Sequence, residues 1–425
     1  MKELFKRLIT DFMERPLLAA MERENDIPLE SKKIISLTGV RRSGKTFLLY
    51  SLIRKLREKN PIENVLYINF EDDRLYAIQL ENLDELIQSY YELYPEKRDQ
   101  KIYLFLDEIQ NVSGWEKFVR RLYDTLSIQI FITGSSSKLL GSEIATSLRG
   151  RTLTFEIFPF SFSEYVRYKN ITVNLHSSRS LSHLNKSFTE YMVNGGFAEV
   201  FDEPPSIQRR IVSDYLELII YRDIVERHAI QNSSLLKEFI AQLFSSISLP
   251  FSVNKTYNDF KSRGYRVAKD TLYDYLVYLE DSFAMFPVSL YSDSIREQQR
   301  NPRKMYTVDT AFKMLFEYPG KEDYGHVFEN MAYLQLRRKT RNIFYYKGKQ
   351  EVDFIVTNEG KIDIINICYS LADRDTRDRE IRGLLEAMDR LGEKSASLLT
   401  MEEEDVLSFE NKKIHVVPMY KWLLG

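Results

Sequence analysis

The sequence has little of what builds disulfide frameworks, zinc sites or membrane spans. Cys368 is its only cysteine and its five histidines are scattered, so an intramolecular disulfide is excluded and a zinc site is not expected. No apolar run reaches the roughly 18 residues that cross a bilayer. The N-terminal segment carries charges throughout and lacks the apolar centre of a signal peptide. We therefore expect a cytoplasmic chain that makes no membrane contact.

No charge of either sign dominates. The chain has 60 Lys and Arg residues against 62 Asp and Glu residues, a balance that neither requires nor excludes nucleic acid because a basic face can exist within a neutral total. Hydrophobic residues make up 44% of 425 residues, which suffices for several buried cores and favours more than one domain. Near the N-terminus, apolar side chains fall on one helical face that we expect to dock on the rest of the chain: Leu4, Phe5, Leu8, Ile9 and Phe12.

What the sequence does contain is a glycine-rich loop of the form G-x-x-x-x-G-K-[ST]. A short apolar strand (residues 33–38) is predicted before it, and an amphipathic helix opens at Phe47. In this context backbone N–H groups and the helix N-terminus bind phosphates, the lysine lies between the β- and γ-phosphates, and the last hydroxyl binds Mg²⁺. The predicted ATP-binding residues are Gly39, Val40, Arg41, Arg42, Ser43, Gly44, Lys45, Thr46 and Phe47.

A second motif lies where the first predicts it. Residues 102–106 form an apolar run that ends in Asp107 and Glu108, as in a central parallel strand with carboxylates at its C-terminal end, where ligands bind. Asp107 is predicted to hold Mg²⁺ together with Thr46, and Glu108 to orient and deprotonate an attacking water. No Asn-Lys-x-Asp segment for guanine is present, so ATP is favoured over GTP.

Strands and helices alternate through the first 160 residues, which predicts a parallel sheet covered on both faces. The strand at 64–70 lies between the loop and the acidic strand, as in ATPases with an inserted central strand. Ser135, after the strand at 128–133, is a candidate γ-phosphate sensor; the alternative is a serine cap on a following helix. Arg149 or Arg151 could act as an arginine finger in cis or in trans; the alternative is exposed arginines beside a turn.

The chain resembles a family of bacterial and archaeal P-loop ATPases of the AAA+ superfamily, related to the STAND type. The resemblance rests on GVRRSGKT, LFLDEIQNVSGWEKFVRRLYD, ITGSSSKLL and SLRGRTLTFEIFPFSFSEY, and it continues through Gly195–Glu199 and Tyr306–Asp309. It implies an α/β fold of the P-loop type with a helical lid, a winged helix and a small domain like PD-(D/E)xK nucleases. The expected domains are 1–160 (ATPase core), 161–205 (lid), 206–315 (winged helix) and 316–425 (nuclease-like).

The winged-helix segment leaves two kinds of partner open. It carries basic residues that suit phosphate contacts, but its predicted recognition helix, TLYDYLVYLED, has three acids and a face of Leu and Tyr that suits packing. Both DNA and a protein partner, including a second copy of the chain, therefore remain candidates. The basic residues are Lys255, Lys261, Arg263, Arg266, Lys269, Arg296, Arg300, Arg303 and Lys304.

The C-terminal segment departs from the nuclease pattern. Glu329 and Asp353 match the first two acids that hold Mg²⁺ in that family, but Asn366 and Cys368 stand where active members carry an acid or Gln and then Lys. Because an amide is a weaker ligand than a carboxylate and cysteine supplies no ammonium group, we expect a vestigial site without nuclease activity.

Together these motifs predict an Mg²⁺-dependent ATPase in which hydrolysis drives a conformational switch, with DNA binding as one candidate output. Two alternatives remain. One is a metal-dependent DNA nuclease gated by ATP; the other is a protein-interaction module that holds ATP with negligible turnover.

Overall fold

The computed structural model describes residues 1–135, 148, 150–317, 320 and 323–425. The chain divides into two compact units, Met1–Phe158 with Asp281–Phe283 and Pro159–Glu280 with Ala284–Gly425. Within the described residues, no helix is long and apolar enough to span a membrane.

The first unit is built on a five-stranded sheet in which every strand pair is parallel. Its strands are β1 (Ile34–Thr38), β2 (Val65–Asn69), β3 (Ile102–Asp107), β4 (Ile128–Gly134) and β5 (Thr152–Glu156). Its helices are α1 (Lys2–Glu14), α2 (Lys45–Arg57), α3 (Leu83–Leu93) and α4 (Trp115–Thr125). Two separate hydrophobic clusters contain the buried residues of the sheet, as expected for a parallel sheet covered on both faces. This confirms the predicted α/β class.

The strand that lies between β1 and β3 in the sheet is not the strand that lies between them along the chain. The sheet order is β2-β3-β4-β1-β5, so β2 lies at an edge beside β3. The inserted central strand is β4, which pairs with β1 through Ile35–Phe131 and with β3 through Phe105–Phe131. Because parallel strands need long crossovers, the order along the chain does not give the order in the sheet. The C-terminal ends of β1, β3 and β4 consequently lie side by side.

The N-terminal helix docks on this unit through its apolar face. Phe5, Leu8 and Ile9 of α1 are buried in the same cluster as β2, β3 and α3. At the other end of the helix, the Phe12 ring stacks on Tyr67 with centroids 4.5 Å apart, and the Arg57 guanidinium lies 4.9 Å from the Phe12 centroid. The helix therefore supports β2 from outside.

The second unit begins with helices and ends in a large sheet. Its helices are α5 (Phe162–Tyr168), α6 (Ser178–Asn194), α7 (Pro205–Leu218), α8 (Ser233–Ser245), α9 (Val253–Ser262), α10 (Lys269–Asp281), α11 (Ile295–Arg300), α12 (Thr310–Met314), α13 (Tyr324–Lys339), α14 (Arg374–Leu391) and α15 (Met419–Leu424). A π-helical segment, Ile219–Glu226, continues α7.

The nine strands of this sheet join two regions that the sequence analysis assigns to separate domains. The order is β13-β14-β12-β11-β10-β9-β7-β8-β6, and β7 pairs in parallel with β9 through Ser289–Phe344 and Leu290–Tyr345. The hairpin β7–β8 is thus continuous with the C-terminal strands. The strands are β6 (Pro250–Phe251), β7 (Met285–Leu290), β8 (Arg303–Thr307), β9 (Ile343–Lys347), β10 (Glu351–Asn358), β11 (Lys361–Ile367), β12 (Ser395–Thr400), β13 (Asp405–Phe409) and β14 (Lys412–Pro418).

A buried carboxylate connects two of the family motifs named above. Asp309 is 2% exposed, and its side chain accepts hydrogen bonds from Gly196 N at 2.7 Å and from Ala311 N at 2.9 Å. Gly195, at φ 73°, leaves no space for a side chain, because a Cβ atom there would lie 1.6 Å from Asp309 Oδ1. The Gly195-Gly196 turn and the start of α12 therefore share one acceptor.

Replacing this acceptor is expected to destabilise the second unit. Asp309→Ala leaves two buried N–H groups without a partner, which costs about 1–3 kcal/mol per group, and Asp309→Asn, which keeps one oxygen, should cost less. Denaturant unfolding measures both. Asp373→Ala, which removes an exposed N-cap that accepts from Thr376 N, is the matched control and should have the smaller effect. An unchanged unfolding free energy in Asp309→Ala would contradict this role.

Candidate active site at the end of the five-stranded sheet

The glycine loop between β1 and α2 has the backbone geometry that its sequence predicts. Gly39 has φ 153°, and a Cβ atom there would lie 2.1 Å from Ile157 O. Gly44 has φ 91° and is the N-cap of α2, which begins at Lys45. Both positions favour glycine because other residues rarely adopt these angles. The loop thus wraps the N-terminus of α2, where N–H groups lack helical partners and attract anions.

Lys45 lies inside this loop. Its side chain is 4% exposed, and its ammonium group donates to Gly39 O and Val40 O, both at 3.1 Å. It also lies 3.7 Å from Glu108 Oε1. The lysine is therefore held by two neutral carbonyl groups of the loop, at the position where a phosphate group would compete for it.

Asp107, at the end of β3, is the most densely bonded group of the site. It is fully buried and accepts hydrogen bonds from Thr46 Oγ1 at 2.8 Å, from Tyr67 OH at 2.9 Å and from Thr133 Oγ1. Burial and the charge of Glu108 raise the pKa of the Asp107 carboxyl, although the three hydroxyl donors act in the opposite direction. Burial and the Asp107 charge likewise raise the pKa of Tyr67, which stays a donor.

Glu108 is fixed next to Asp107 through its backbone. Its φ is 53°, a left-handed conformation that costs free energy outside glycine and often occurs at functional sites. Its N–H donates to Thr133 Oγ1 at 2.9 Å, and Gln110 Nε2 donates to its Oε2. The side chain is 10% exposed. One carboxylate, Asp107, thus faces Thr46 and the other, Glu108, faces Lys45.

The oxygen atoms of this arrangement suit Mg²⁺. The Thr46 hydroxyl and the Asp107 carboxylate are 2.8 Å apart, and both are hard oxygen ligands of the kind that Mg²⁺ takes beside substrate phosphates. No cysteine or histidine lies in this set, so a softer metal is not indicated.

Three residues of the site escaped the sequence analysis. Thr133 bridges both acids, and its place near the end of an apolar strand could have suggested it. Tyr67 belongs to a strand read only as core. Arg23 gives no local signal, yet its guanidinium donates to Ser43 O at 2.9 Å and to Phe158 O at 2.8 Å, so that it supports the glycine loop from outside.

The other residues that the sequence predicts for this site have varied surroundings. Ser135 is buried directly after β4. Phe47 is 45% exposed and lies 6.1 Å from the Tyr50 ring. Arg41 pairs with Glu71 at 2.9 Å. Arg149 lies outside the described residues, as does most of the segment that follows Ser135.

Arg151 lies at the wrong end of the sheet for a finger in the same chain. Its carbonyl accepts from Ile34 N, which starts β1, whereas the glycine loop follows the other end of that strand. Its guanidinium donates to Asp124 Oδ1 at 3.1 Å on α4. A role for Arg151 in cis is therefore not supported, and a role in trans stays a prediction.

The two nuclease-like acids of the second unit do come together. Glu329 on α13 and Asp353 on β10 both contact the Lys304 ammonium group, at 3.0 and 2.9 Å. Lys304, predicted as one of the basic residues of the wing that suit phosphate contacts, is instead 1% exposed.

Comparison with known proteins assigns a domain type to the first unit. Residues 31–166 match the AAA domain family. Residues 185–315 and 324–422 match two domains of unknown function (DUF8612 and DUF4143). An uncharacterized protein of Methanocaldococcus jannaschii is 35% identical over all of this chain and 96% of its own length. An uncharacterized protein of Haemophilus influenzae is 30% identical over 80% of this chain and 82% of its own.

Similar solved structures include the Walker-type ATPase PABY2304 of Pyrococcus abyssi, with 17% identity, a TM-score of 0.39 and coverage of 74% of this chain and 95% of that one. The Orc1 protein of Aeropyrum pernix in complex with DNA has 13% identity, a TM-score of 0.31 and coverage of 78% and 92%. At these scores the likenesses carry no argument about activity or partners.

Thr133 and Ser135 can be separated by paired substitutions. Thr133→Val keeps the shape but removes the hydroxyl that holds both acids, so we expect it to slow ATP turnover by about tenfold or more while nucleotide affinity changes little. Ser135→Ala is measured in parallel by phosphate release and nucleotide titration. An equal loss in Ser135→Ala would support the predicted sensor role of that residue as well. Full turnover in Thr133→Val would contradict the importance of its bridge.

Proposed function

Because the chain belongs to a family of AAA-domain proteins with relatives in Methanocaldococcus and Haemophilus, we propose that it binds and hydrolyses ATP in an Mg²⁺-dependent reaction. The observation that carries the proposal is the joint placement of the glycine loop, Lys45 and the Asp107–Glu108 pair. These are the parts that phosphoryl transfer requires: a phosphate cradle, a metal position and a base beside it.

In this proposal each group has one task. Loop N–H groups and the Lys45 ammonium bind the β- and γ-phosphates once the lysine leaves the carbonyls of Gly39 and Val40. Thr46 and Asp107 would hold Mg²⁺, which would neutralise charge on the phosphate oxygens. Glu108 orients the attacking water and takes its proton. Thr133 keeps the two carboxylates in register, so that metal binding and proton transfer stay on different acids.

The nucleotide state is proposed to act as a switch through the predicted lid, residues 161–205. Hydrolysis removes the γ-phosphate contact that a lid and its sensor can detect, so the two nucleotide states stabilise different conformations. An arginine finger from a neighbouring copy belongs to the same proposal, with Arg149 or Arg151 as its candidates.

Two substitutions test the reaction. Lys45→Ala removes the phosphate-binding ammonium and is expected to abolish tight ATP binding. Glu108→Gln keeps the shape and the cradle but not the base, so it should bind ATP and lower kcat by about 10²-fold or more. Equilibrium binding and steady-state phosphate release measure these effects. Normal turnover in Glu108→Gln would remove the assignment of the base, and negligible turnover in the wild type with stoichiometric bound nucleotide would favour an ATP-holding module.

The order of elements supports a winged helix in the second unit. Helices α8, α9 and α10 are followed by the hairpin β7–β8, and β6 pairs with β8 through Pro250–Lys304 and Phe251–Arg303. Three helices with a short strand and a hairpin are the parts of this fold, in which α10 would be the recognition helix.

The surface of α10 supports a protein partner over duplex DNA. Leu272, Tyr275 and Leu279 are buried, which leaves an exposed face with Tyr273, Asp274 and Val277. Acidic groups repel phosphates, and apolar groups make no favourable electrostatic contact with them. In addition, Arg263 is paired with Glu238 and Asp259. We therefore propose that this module docks on protein, either a partner or a second copy.

Duplex DNA offers the sharpest test of this choice. We expect ATP turnover to stay within about twofold when duplex or single-stranded DNA is added at low salt, where phosphate contacts are strongest. Strong stimulation that is lost in Lys255→Ala with Lys261→Ala, both exposed residues of α9, would contradict the proposal and make DNA the partner.

A further inference from the structure

A lysine occupies the place where the nuclease resemblance implies a divalent metal. Lys304 on β8 is 1% exposed, and its ammonium group lies 3.0 Å from Glu329 Oε1, 2.7 Å from Glu351 Oε1 and 2.9 Å from Asp353 Oδ1. The three carboxylates come from α13 and β10. They border a cavity of about 330 Å³ that also contains Asn366 and Glu380, so ions can reach them from solution.

The atoms that a metal would need are already bonded. Glu329 Oε1 also accepts from Tyr306 OH at 2.6 Å, and Asp353 Oδ2 accepts from Ile367 N at 3.0 Å. Asn366, at the position of the third nuclease acid, uses its Oδ1 to accept from Asp353 N at 2.9 Å and its Nδ2 to donate to Glu380. Within the described parts of the chain, no group of three His, Cys, Asp or Glu residues is arranged to hold a metal ion. The residues present do not fit Mg²⁺.

The charges explain why a cation must nevertheless be present. Carboxylates this close repel one another, and burial penalises each of them further. Burial alone would lower the pKa of Lys304, but the charges of Asp353, Glu329 and Glu351 outweigh it and raise that pKa well above its ordinary value. Burial, followed by the charge of Asp353, also raises the pKa of the Glu329 carboxyl. The ammonium group therefore stays charged at neutral pH.

Lys304 is also unable to act as the catalytic lysine of a nuclease. An ammonium group has three N–H donors, and here three carboxylates lie within 3.0 Å of it. Two of the donors go to Glu329 and Asp353, and Glu351 Oε1 lies 2.7 Å from the nitrogen, so the ammonium group is directed at carboxylates and not at an attacking water or a phosphate oxygen. Lys304 therefore differs in both role and sequence position from the catalytic lysine of active nucleases, whose position in this chain is occupied by Cys368.

We propose that Lys304 is the built-in cation of the C-terminal domain: its ammonium group replaces the divalent metal, cancels the repulsion among Glu329, Glu351 and Asp353, and joins the β7–β8 hairpin to α13 and β10. The domain is then stable without metal and makes no metal-dependent cut in DNA at this place. This inference does not depend on the proposed ATPase reaction.

The first test compares metal binding with and without the cluster. Nucleotide-free, full-length wild type and Asp353→Asn are dialysed against chelator and titrated calorimetrically with Mn²⁺ alone. We expect the same number of bound Mn²⁺ ions, since any ion at the glycine loop contributes equally to both. One more ion in the wild type would overturn the proposal. Glu351→Gln, whose side chain is 37% exposed in the wild type, replaces Asp353→Asn if that variant does not fold.

The second test removes the built-in cation. Lys304→Met frees three carboxylates at nearly constant shape, so the folded variant should bind one Mn²⁺ ion more than the wild type, and Lys304→Met with Asp353→Asn should lose it again. The matched control is Lys313→Met, another buried lysine, which donates to Ser245 O at 3.0 Å and pairs only with Glu317 among the described carboxylates. It should gain no site. A folded Lys304→Met without the extra ion would overturn the proposal; if that variant does not fold, the wild-type comparison decides.

Discussion

A carboxylate that is buried away from water needs hydrogen-bond donors or a cation. Both units of this protein are arranged around buried acids that have such partners. Asp107 is bonded by hydroxyl groups of Thr46, Tyr67 and Thr133, which belong to α2, β2 and β4. These donors connect the glycine loop, an edge strand and the central strand through one buried group. Because these three donors are neutral hydroxyls, no ammonium or guanidinium group among them competes with a metal ion for the Asp107 oxygens.

The sequence was informative where chemistry and geometry are local. The glycine loop needs its residues in a fixed order, because Gly39 and Gly44 adopt backbone angles that other residues avoid. The acidic pair follows a strand whose residues are all buried, so its composition alone marks it as central. The strands predicted at 33–38, 64–70 and 128–133 agree with β1, β2 and β4 to within about one residue at each end, since apolar runs of this kind are a strong signal.

Long-range placement could not be read from the chain. The strand at 64–70 lies between the loop and the acidic strand along the chain, but β2 is an edge strand and β4 fills the position between β1 and β3, because crossover connections leave strand order open. Arg151 follows the sensor strand closely in sequence and yet lies at the opposite end of β1. Lys304 looked like part of a basic wing, and only its burial beside Glu329 and Asp353 reveals its partners.

Two buried lysines in one chain illustrate how partners decide what a side chain can do. Lys45 donates to two backbone carbonyls and lies 3.7 Å from Glu108 Oε1, so a phosphate that carries more charge can displace the carbonyls. Lys304 has three carboxylates within 3.0 Å, which no single phosphate oxygen outcompetes. Burial is similar in the two cases, but the first lysine remains exchangeable and the second is fixed. Residue type and burial therefore do not identify a functional lysine. The charge of its present partners does, because a lysine must separate from those partners before it can bind a ligand.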